Sequence, residues 1–295
     1  MALQEACRIG DLEVVKLLVE TGADVTANNN EPLRNASRFG HLEVVKFLVE
    51  KGADVSANNN EPIIRASEAG HLEVVKFLME KGADASANDN RAVRWASENG
   101  HLKVVKFLVE KGADVNACDK YAVEWASYFG HLDVVKFLVE HGVDVSANDN
   151  DAISFASGAG HLQVVKFLVE HGADVTSLGM RYASGAGHLQ VVKFLVANGA
   201  DTSANDNESI VQASRAGHLE MVKFLIEKGC PMDLLSERDK RYMNLCDKFE
   251  RKRKIDAANT IGTWWIPKCY KLKDEVGELR MAKKSWEKLD CLEVT

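Results

Sequence analysis

Proline is scarce, with 4 residues in a chain of 295, and glycine numbers only 21. Collagen-like and Pro-rich disordered architectures need far more of both, so they are excluded. Long hydrophobic runs are also missing. No segment approaches the roughly 18 consecutive apolar residues of a membrane span. The opening MALQEACRIGDLEVV has no basic region followed by an apolar stretch, so no secretion signal is read there. Positive charge is not in excess: 37 Lys+Arg face 44 Asp+Glu, a net charge of −7. That balance argues against general nucleic-acid binding, which is driven by counterion release from basic groups. The six cysteines (Cys7, Cys118, Cys230, Cys246, Cys269, Cys291) include no CxxC pair. With no secretion signal they read as free thiols in a reducing, cytoplasmic compartment, with no metal or cofactor site expected. What is present is ordinary for a folded chain, with 46% hydrophobic and 27% charged residues.

Internal repetition dominates the sequence. G-[HD]-L recurs at Gly10, Gly40, Gly70, Gly100, Gly130, Gly160, Gly187 and Gly217, spaced by 30 residues five times, then 27, then 30. Eight repeats therefore cover residues 1–230. In the unit EPIIRASEAGHLEVVKFLMEKGADASANDN, the segment PIIRASEAG predicts a short helix ended by glycine. HLEVVKFLMEKG predicts a second helix with Leu72, Val75, Leu78 and Met79 on one face, Glu73, Lys76 and Glu80 toward solvent, and Gly82 as its stop. ADASANDN has no helical period and predicts a polar turn. One such unit cannot bury its own apolar face, so stacking into an all-α solenoid follows.

GHLEVVKFLVEKGADV resembles the second helix and turn of the ankyrin repeat, and Pro32–Ser37 (PLRNAS) resembles that family's TPLHxA helix start. The resemblance covers about three quarters of the chain, in register. These units are about three residues shorter than the family's usual ~33. The loss falls where ankyrin repeats carry a β-hairpin tip, here only NNNEP, NDNRA or CDKYA, so blunt tips are expected. The seventh unit (TSLGMRYAS) loses three more residues, which predicts a bend or a loosened stack there. Glu31 and Arg34, or Arg91 and Arg94, replace the family's Thr and His, which puts their capping bonds in question. The 30-residue units and the tail segment IGTWWIPKCY are most similar to ankyrin proteins of the giant DNA viruses of amoebae.

The first repeat begins inside its first helix and reads as an incomplete cap, with Gln4, Glu5 and Arg8 suited to an exposed face. The repeat stops after Gly229-Cys230-Pro231. Residues 232–295 carry net charge +3 and the first 230 carry −10, marking residues 231–295 as a separate helical segment. There a helix with Tyr242, Leu245, Phe249 and Ile255 on one side is expected, then a break at Trp264-Trp265-Ile266-Pro267, then a last helix. This segment is either a cap on the array or a docking module. Arg251-Lys252-Arg253-Lys254 reads as a solvated helix face before a nuclear signal.

No catalytic constellation is present. Seven histidines (His41, His71, His101, His131, His161, His188, His218) sit at one fixed place in the repeat and read as structural. His141 and His171 replace Lys at helix ends, where a cation suits the carbonyl dipole. The Asn/Asp clusters lack the Gly and Glu of calcium loops and read as turns. What varies is one surface of the first helix. The residue before the constant Ala is Asn35, Arg65, Trp95, Trp125, Phe155, Tyr182 or Gln212. Those two and three after it include Arg38-Phe39, Glu68, Glu98, Tyr128-Phe129 and Arg215. Helical spacing puts Trp125, Tyr128 and Phe129 together, with Trp95 one repeat before and Phe155 and Tyr182 after.

The ankyrin resemblance implies that the positions after the paired small residues face a concave groove. Tyr128 and Phe129 are therefore contact candidates, beside a recess at Gly158, Ala159, Gly185 and Ala186. Trp95, Trp125, Phe155 and Tyr182 serve either as contacts or as a ladder between repeats. Arg38, Phe39, Glu68, Glu98 and Arg215 would form the rim. The expected function is a monomeric, non-enzymatic protein-binding module. Two other readings are a ubiquitin-ligase adaptor docking through residues 231–295 and a self-associating virion protein. An adaptor of that kind carries an F-box-type LPxE start, for which the chain offers only Trp265-Ile266-Pro267-Lys268.

Overall fold

The structure is a computed structural model and describes residues 3–116, 121–235 and 240. The helices expected around Tyr242–Ile255 and after Pro267, and the Trp264-Trp265 break, lie outside the described residues. The chain divides into two compact units, 1–236 and 237–295, and the first contains every element described below.

Among the described residues there are sixteen α-helices and no strand, two helices to each of eight repeats. The first helices are Leu3–Ile9, Ala27–Arg38, Ala57–Glu68, Ala87–Glu98, Tyr121–Tyr128, Ala147–Ala159, Ser177–Ala186 and Ala204–Ala216. The second helices are Leu12–Glu20, Leu42–Glu50, Leu72–Glu80, Leu102–Glu110, Leu132–Glu140, Leu162–Glu170, Leu189–Ala197 and Leu219–Glu227. First helices contact one another along the stack far more extensively than second helices do, which makes theirs the more tightly spaced layer. The constant small residue permits this approach: Ala36, Ala66, Ala96, Ala126, Ala156, Ala183 and Ala213 are fully buried.

The core differs in one respect from the periodicity. Leu72–Glu80 buries Val74, Val75 and Leu78, whereas Leu72 and Met79 are half-buried. A helix clamped between its own first helix and neighbours on both sides buries a wider arc than a single stripe, and Val74 falls in it. Each fully buried Leu or Val contributes about 1.5–3 kcal/mol relative to exposure, and the Val-Val-Leu triplet recurs down the stack. The first repeat is less polar at its outer side than a cap should be. Ile9 and Leu17 are exposed there, while Gln4 and Glu5 are half-buried.

The polar turn has an unusual conformation with a clear sequence cause. Asn28, Asn29 and Asn30 all have left-handed φ/ψ (φ 53, 57 and 58°), and the same triplet recurs in four later repeats. Other L-residues lose roughly 1–2 kcal/mol each in this region, and Asn and Asp tolerate it best. Among the described residues, all fifteen non-glycine positions with positive φ are Asn or Asp. The triplet replaces the hairpin tip and aims its last side chain at the next repeat. The Asp54 N–H donates to Asn30 Oδ1 at 2.8 Å, and Asp84, Asp114 and Asp174 donate likewise to Asn60, Asn90 and Asn150. Twenty-four residues after Asn207 stands Pro231, which has no N–H, and Asn207 Oδ1 is buried without a partner.

The histidines make a second tie. His41 Nε2 lies 3.0 Å from the Arg8 carbonyl oxygen, and His71, His101 and His218 repeat the bond to Arg38, Glu68 and Gly185. A carbonyl only accepts, so Nε2 carries the proton. Each ring lies over the glycine of the preceding repeat; a Cβ on Gly100 would come within 2.5 Å of His131 Nδ1. His141 and His171 use the other nitrogen, with Nδ1 at 2.8 Å from the Phe137 and Phe167 carbonyl oxygens at the helix end. The Arg that stands for the family's His also finds a backbone partner, since Arg34 donates to the Asn28 carbonyl at 3.0 Å.

The seventh repeat is not loosened. Its first helix makes the most extensive contacts in that layer with its two neighbours. The deletion removes the left-handed triplet, and Thr176 caps the helix by accepting the Gly179 N–H at 2.9 Å. Thr176 also shares a hydrogen bond with Ser154 at 2.9 Å. With no Cβ on Gly179, the helix draws close to the Ser154 backbone.

Candidate protein-binding surface

The variable positions of the first helices form one continuous row. At its middle, four rings gather around Trp125. Tyr121, Tyr128, Phe129 and Phe155 have centroids 5.5, 5.5, 6.0 and 6.3 Å from it. Tyr128 and Phe129 meet edge to face at 5.0 Å, and Tyr128 reaches Phe155 at 6.4 Å. Trp125 and Phe155 are half-buried and join two repeats, whereas Tyr128 and Phe129 remain 42% and 45% exposed. Offset and edge-to-face pairs of this kind gain about 0.5–1.5 kcal/mol beyond burial. The cluster is thus rigid at its base and open at its top.

Trp95 does not join this cluster. The Arg65 and Arg91 guanidinium groups lie over its ring at 5.0 and 4.0 Å. Buried Glu61 holds both arginines, at 2.6 Å from Arg65 Nε and 3.6 Å from Arg91 Nη1. Glu68 completes the group with a 2.8 Å ion pair to Arg65. Two carboxylates raise the Arg65 pKa against the opposing effect of its burial. Tyr121 bridges the two zones: Arg94 lies over its ring at 4.5 Å, and its hydroxyl donates to Glu98 at 3.1 Å. Tyr121 is a member that the reading of the variable positions missed; its place four residues before Trp125, a helical neighbour position, was the available signal.

The recess expected at Gly158 is occupied, because a Cβ there would lie 3.0 Å from Tyr182 Cβ. Tyr182 is 39% exposed with Arg181 over it at 4.9 Å. At Gly185 the side chain of Gln212 approaches in the same way. Gly158 and Gly185 therefore serve contact between repeats. At the rim, Phe39 is 41% exposed, with Arg8 and Arg38 at 5.8 and 5.9 Å from its centroid. Glu68 and Glu98 are half-buried and engaged as above, and Arg215 is exposed.

Cys7 and Cys230 are free and buried, and burial pushes the Cys7 thiol up to about 12. Among the described residues no three His, Cys, Asp or Glu side chains converge as metal ligands. No described helix is long and apolar enough to cross a membrane.

The fold and its surface define a class: an α-helical repeat solenoid with invariant packing positions and one variable, aromatic-rich row. A family model described as ankyrin repeats in three copies matches residues 1–59, 55–119, 95–178 and 179–239. The chain belongs to the ankyrin-repeat family, whose members are generally protein–protein interaction modules and typically non-enzymatic. Comparison with curated proteins found no match.

Proposed function

We propose that this chain is a non-enzymatic binding module that takes a protein partner on the first-helix surface, centred on Tyr128 and Phe129. The observation that supports this is the pair itself. Two adjacent rings stay more than 40% exposed on a base of packed aromatics, and exposed apolar clusters of this kind mark interaction sites. Trp125 and Phe155 support the pair from beneath and beside it, and Tyr182 continues the surface one repeat further. Arg38, Phe39, Glu68, Glu98, Trp95 and Arg215 extend the surface toward both ends. Residues 1–230 act as the binding array and residues 231–295 as a cap or docking segment. On the resemblance of its 30-residue units to ankyrin proteins of giant amoebal viruses, the partner we propose is a host protein met in the cytoplasm.

The test is affinity capture from host-cell lysate with three chains: the full protein, a version ending at Gly229, and the Tyr128→Ala/Phe129→Ala double variant. A partner retained without the tail and lost with the aromatic pair supports the reading. Ligase subunits captured only with the tail would instead establish the adaptor role. Capture that ignores both changes overturns the aromatic surface as the site.

A further inference from the structure

Every Phe, Tyr and Trp ring among the described residues, apart from one group of four, lies under an Arg or Lys of this chain at 4.0–5.9 Å. The group is Trp125, Tyr128, Phe129 and Phe155, which are contiguous. The rings on either side of it along the row, Tyr121 and Tyr182, are both covered by guanidinium groups. The uncovered rings include the two most exposed ones in the cluster. Carboxylates stand near the group as well as these two arginines. Glu98 sits beside Tyr121, and Asp151, one helical turn from Phe155, has no ion pair with any described residue. The array as a whole carries net charge −10 over its first 230 residues.

A ring face attracts a cation through its quadrupole, and arginine adds planar stacking. We infer that the partner lays a polypeptide segment across this patch with an arginine or lysine side chain on the open faces of Tyr128 and Phe129. The partner would supply a cation where no described residue of the chain places one. This rests on the binding surface proposed above and adds the chemistry of what it recognises. A single exposed cation–π contact is weak. The cation must therefore arrive on a chain whose neighbouring apolar groups cover Trp125 and Phe155.

The test uses the full chain and fluorescein-labelled seven-residue peptide pools, randomised except for a central Arg, Lys, citrulline, Leu or Glu, read by fluorescence anisotropy. The Arg pool should bind at least about fivefold more tightly than the citrulline pool, which keeps the shape without the charge, and Lys should fall between them. That preference should vanish in the Tyr128→Ala/Phe129→Ala variant and shrink in Asp151→Asn. A preference for Arg that survives the double variant would come from general attraction to an acidic array and overturns the inference. A preference for Leu or Glu that needs the aromatic pair also overturns it, while leaving the binding surface intact. So does the absence of binding by every pool when lysate capture still needs the pair. If neither pools nor lysate capture distinguish the double variant, both the inference and the proposed surface fail. Circular-dichroism melts of the variants guard against misfolding, and both mutated rings are exposed enough to leave the melts nearly unchanged.

Discussion

Replacing Asn60 by Gly and by Ala, with Asn207→Gly as the internal reference, separates two effects that the left-handed turn combines. Asn60 has φ 62° and accepts the Asp84 N–H at 2.8 Å. Gly adopts this backbone freely, so Asn60→Gly loses the hydrogen bond and adds a flexible residue to the unfolded chain. A typical bond of this kind is worth about 1 kcal/mol net. Ala loses the same bond and is also forced into the left-handed region, which adds roughly 1–2 kcal/mol. Asn60→Ala should therefore cost about 2–3 kcal/mol. Asn207 has the same backbone at φ 60°, but its Oδ1 has no partner because Pro231 stands where an aspartate amide would. Asn207→Gly carries the flexibility cost alone, so it should be about 1 kcal/mol milder than Asn60→Gly. Repeat arrays need not unfold in one step. Urea titrations by far-UV circular dichroism should therefore be paired with hydrogen exchange at the Asp84 amide, protected in the parent and open in both Asn60 variants. Equal cost at Asn60 and Asn207, or an Asp84 amide that stays protected, would refute the reasoning.

Gly100→Ala should destabilise by about 1–3 kcal/mol more than Gly82→Ala, because both strain a positive φ but only the first drives a Cβ into the His131 ring; urea midpoints measure it. His71 has its pKa lowered mainly by burial, against the Arg38 carbonyl that raises it and with the neighbouring His101 and His41 charges lowering it further. The unfolded chain then binds a proton that the native state refuses. Stability should hold above the ordinary pKa of about 6.5 and fall as pH drops below it, with a smaller fall in His71→Asn. Tyr128→Ala and Phe129→Ala should each change the melting free energy by less than about 1 kcal/mol while weakening partner binding tenfold or more, measured by calorimetry and titration. Gln163→Glu should draw Lys166 from the Phe194 ring, 5.9 Å away, onto the new carboxylate, as Lys46 and Lys76 do with Glu43 and Glu73. The net effect should stay within about 0.5 kcal/mol in a thermal melt.

The repeat length, two helices per unit, glycine stops and polar turns were legible because each is written locally and restated eight times. Contacts between repeats were not, since they depend on the rotation from one unit to the next, which no single unit encodes. Hence the histidines could be placed in the repeat, but not over the glycine of the previous one. Gly158 and Gly185 looked like a vacancy and instead admit Tyr182 and Gln212. Tyr128 and Phe129 stand out in the sequence as candidates because they break the small-or-charged pattern at their positions. Trp95 shares an aromatic-rich position with Trp125, yet Arg65 and Arg91 claim its faces, and helical spacing shows only one of those two arginines as a neighbour. Shortening of the seventh unit suggested slackness because deletion removes contacts in one dimension; in three it removed a protruding turn and let the backbones close.

The Asn–Asp and Gly–His ties are made between one repeat and the next, so an internal unit that keeps the left-handed triplet carries both halves of the joint. A copy of an internal unit spliced beside its parent would arrive with compatible connectors on both sides and could be read through without repair. Pro231 withdraws one half of that joint at the end of the series. Lengthening by duplication is thus structurally silent in the interior and obstructed after the eighth unit. In such a lineage the array should vary in its number of middle units, while the closing unit with its proline is inherited as a fixed full stop.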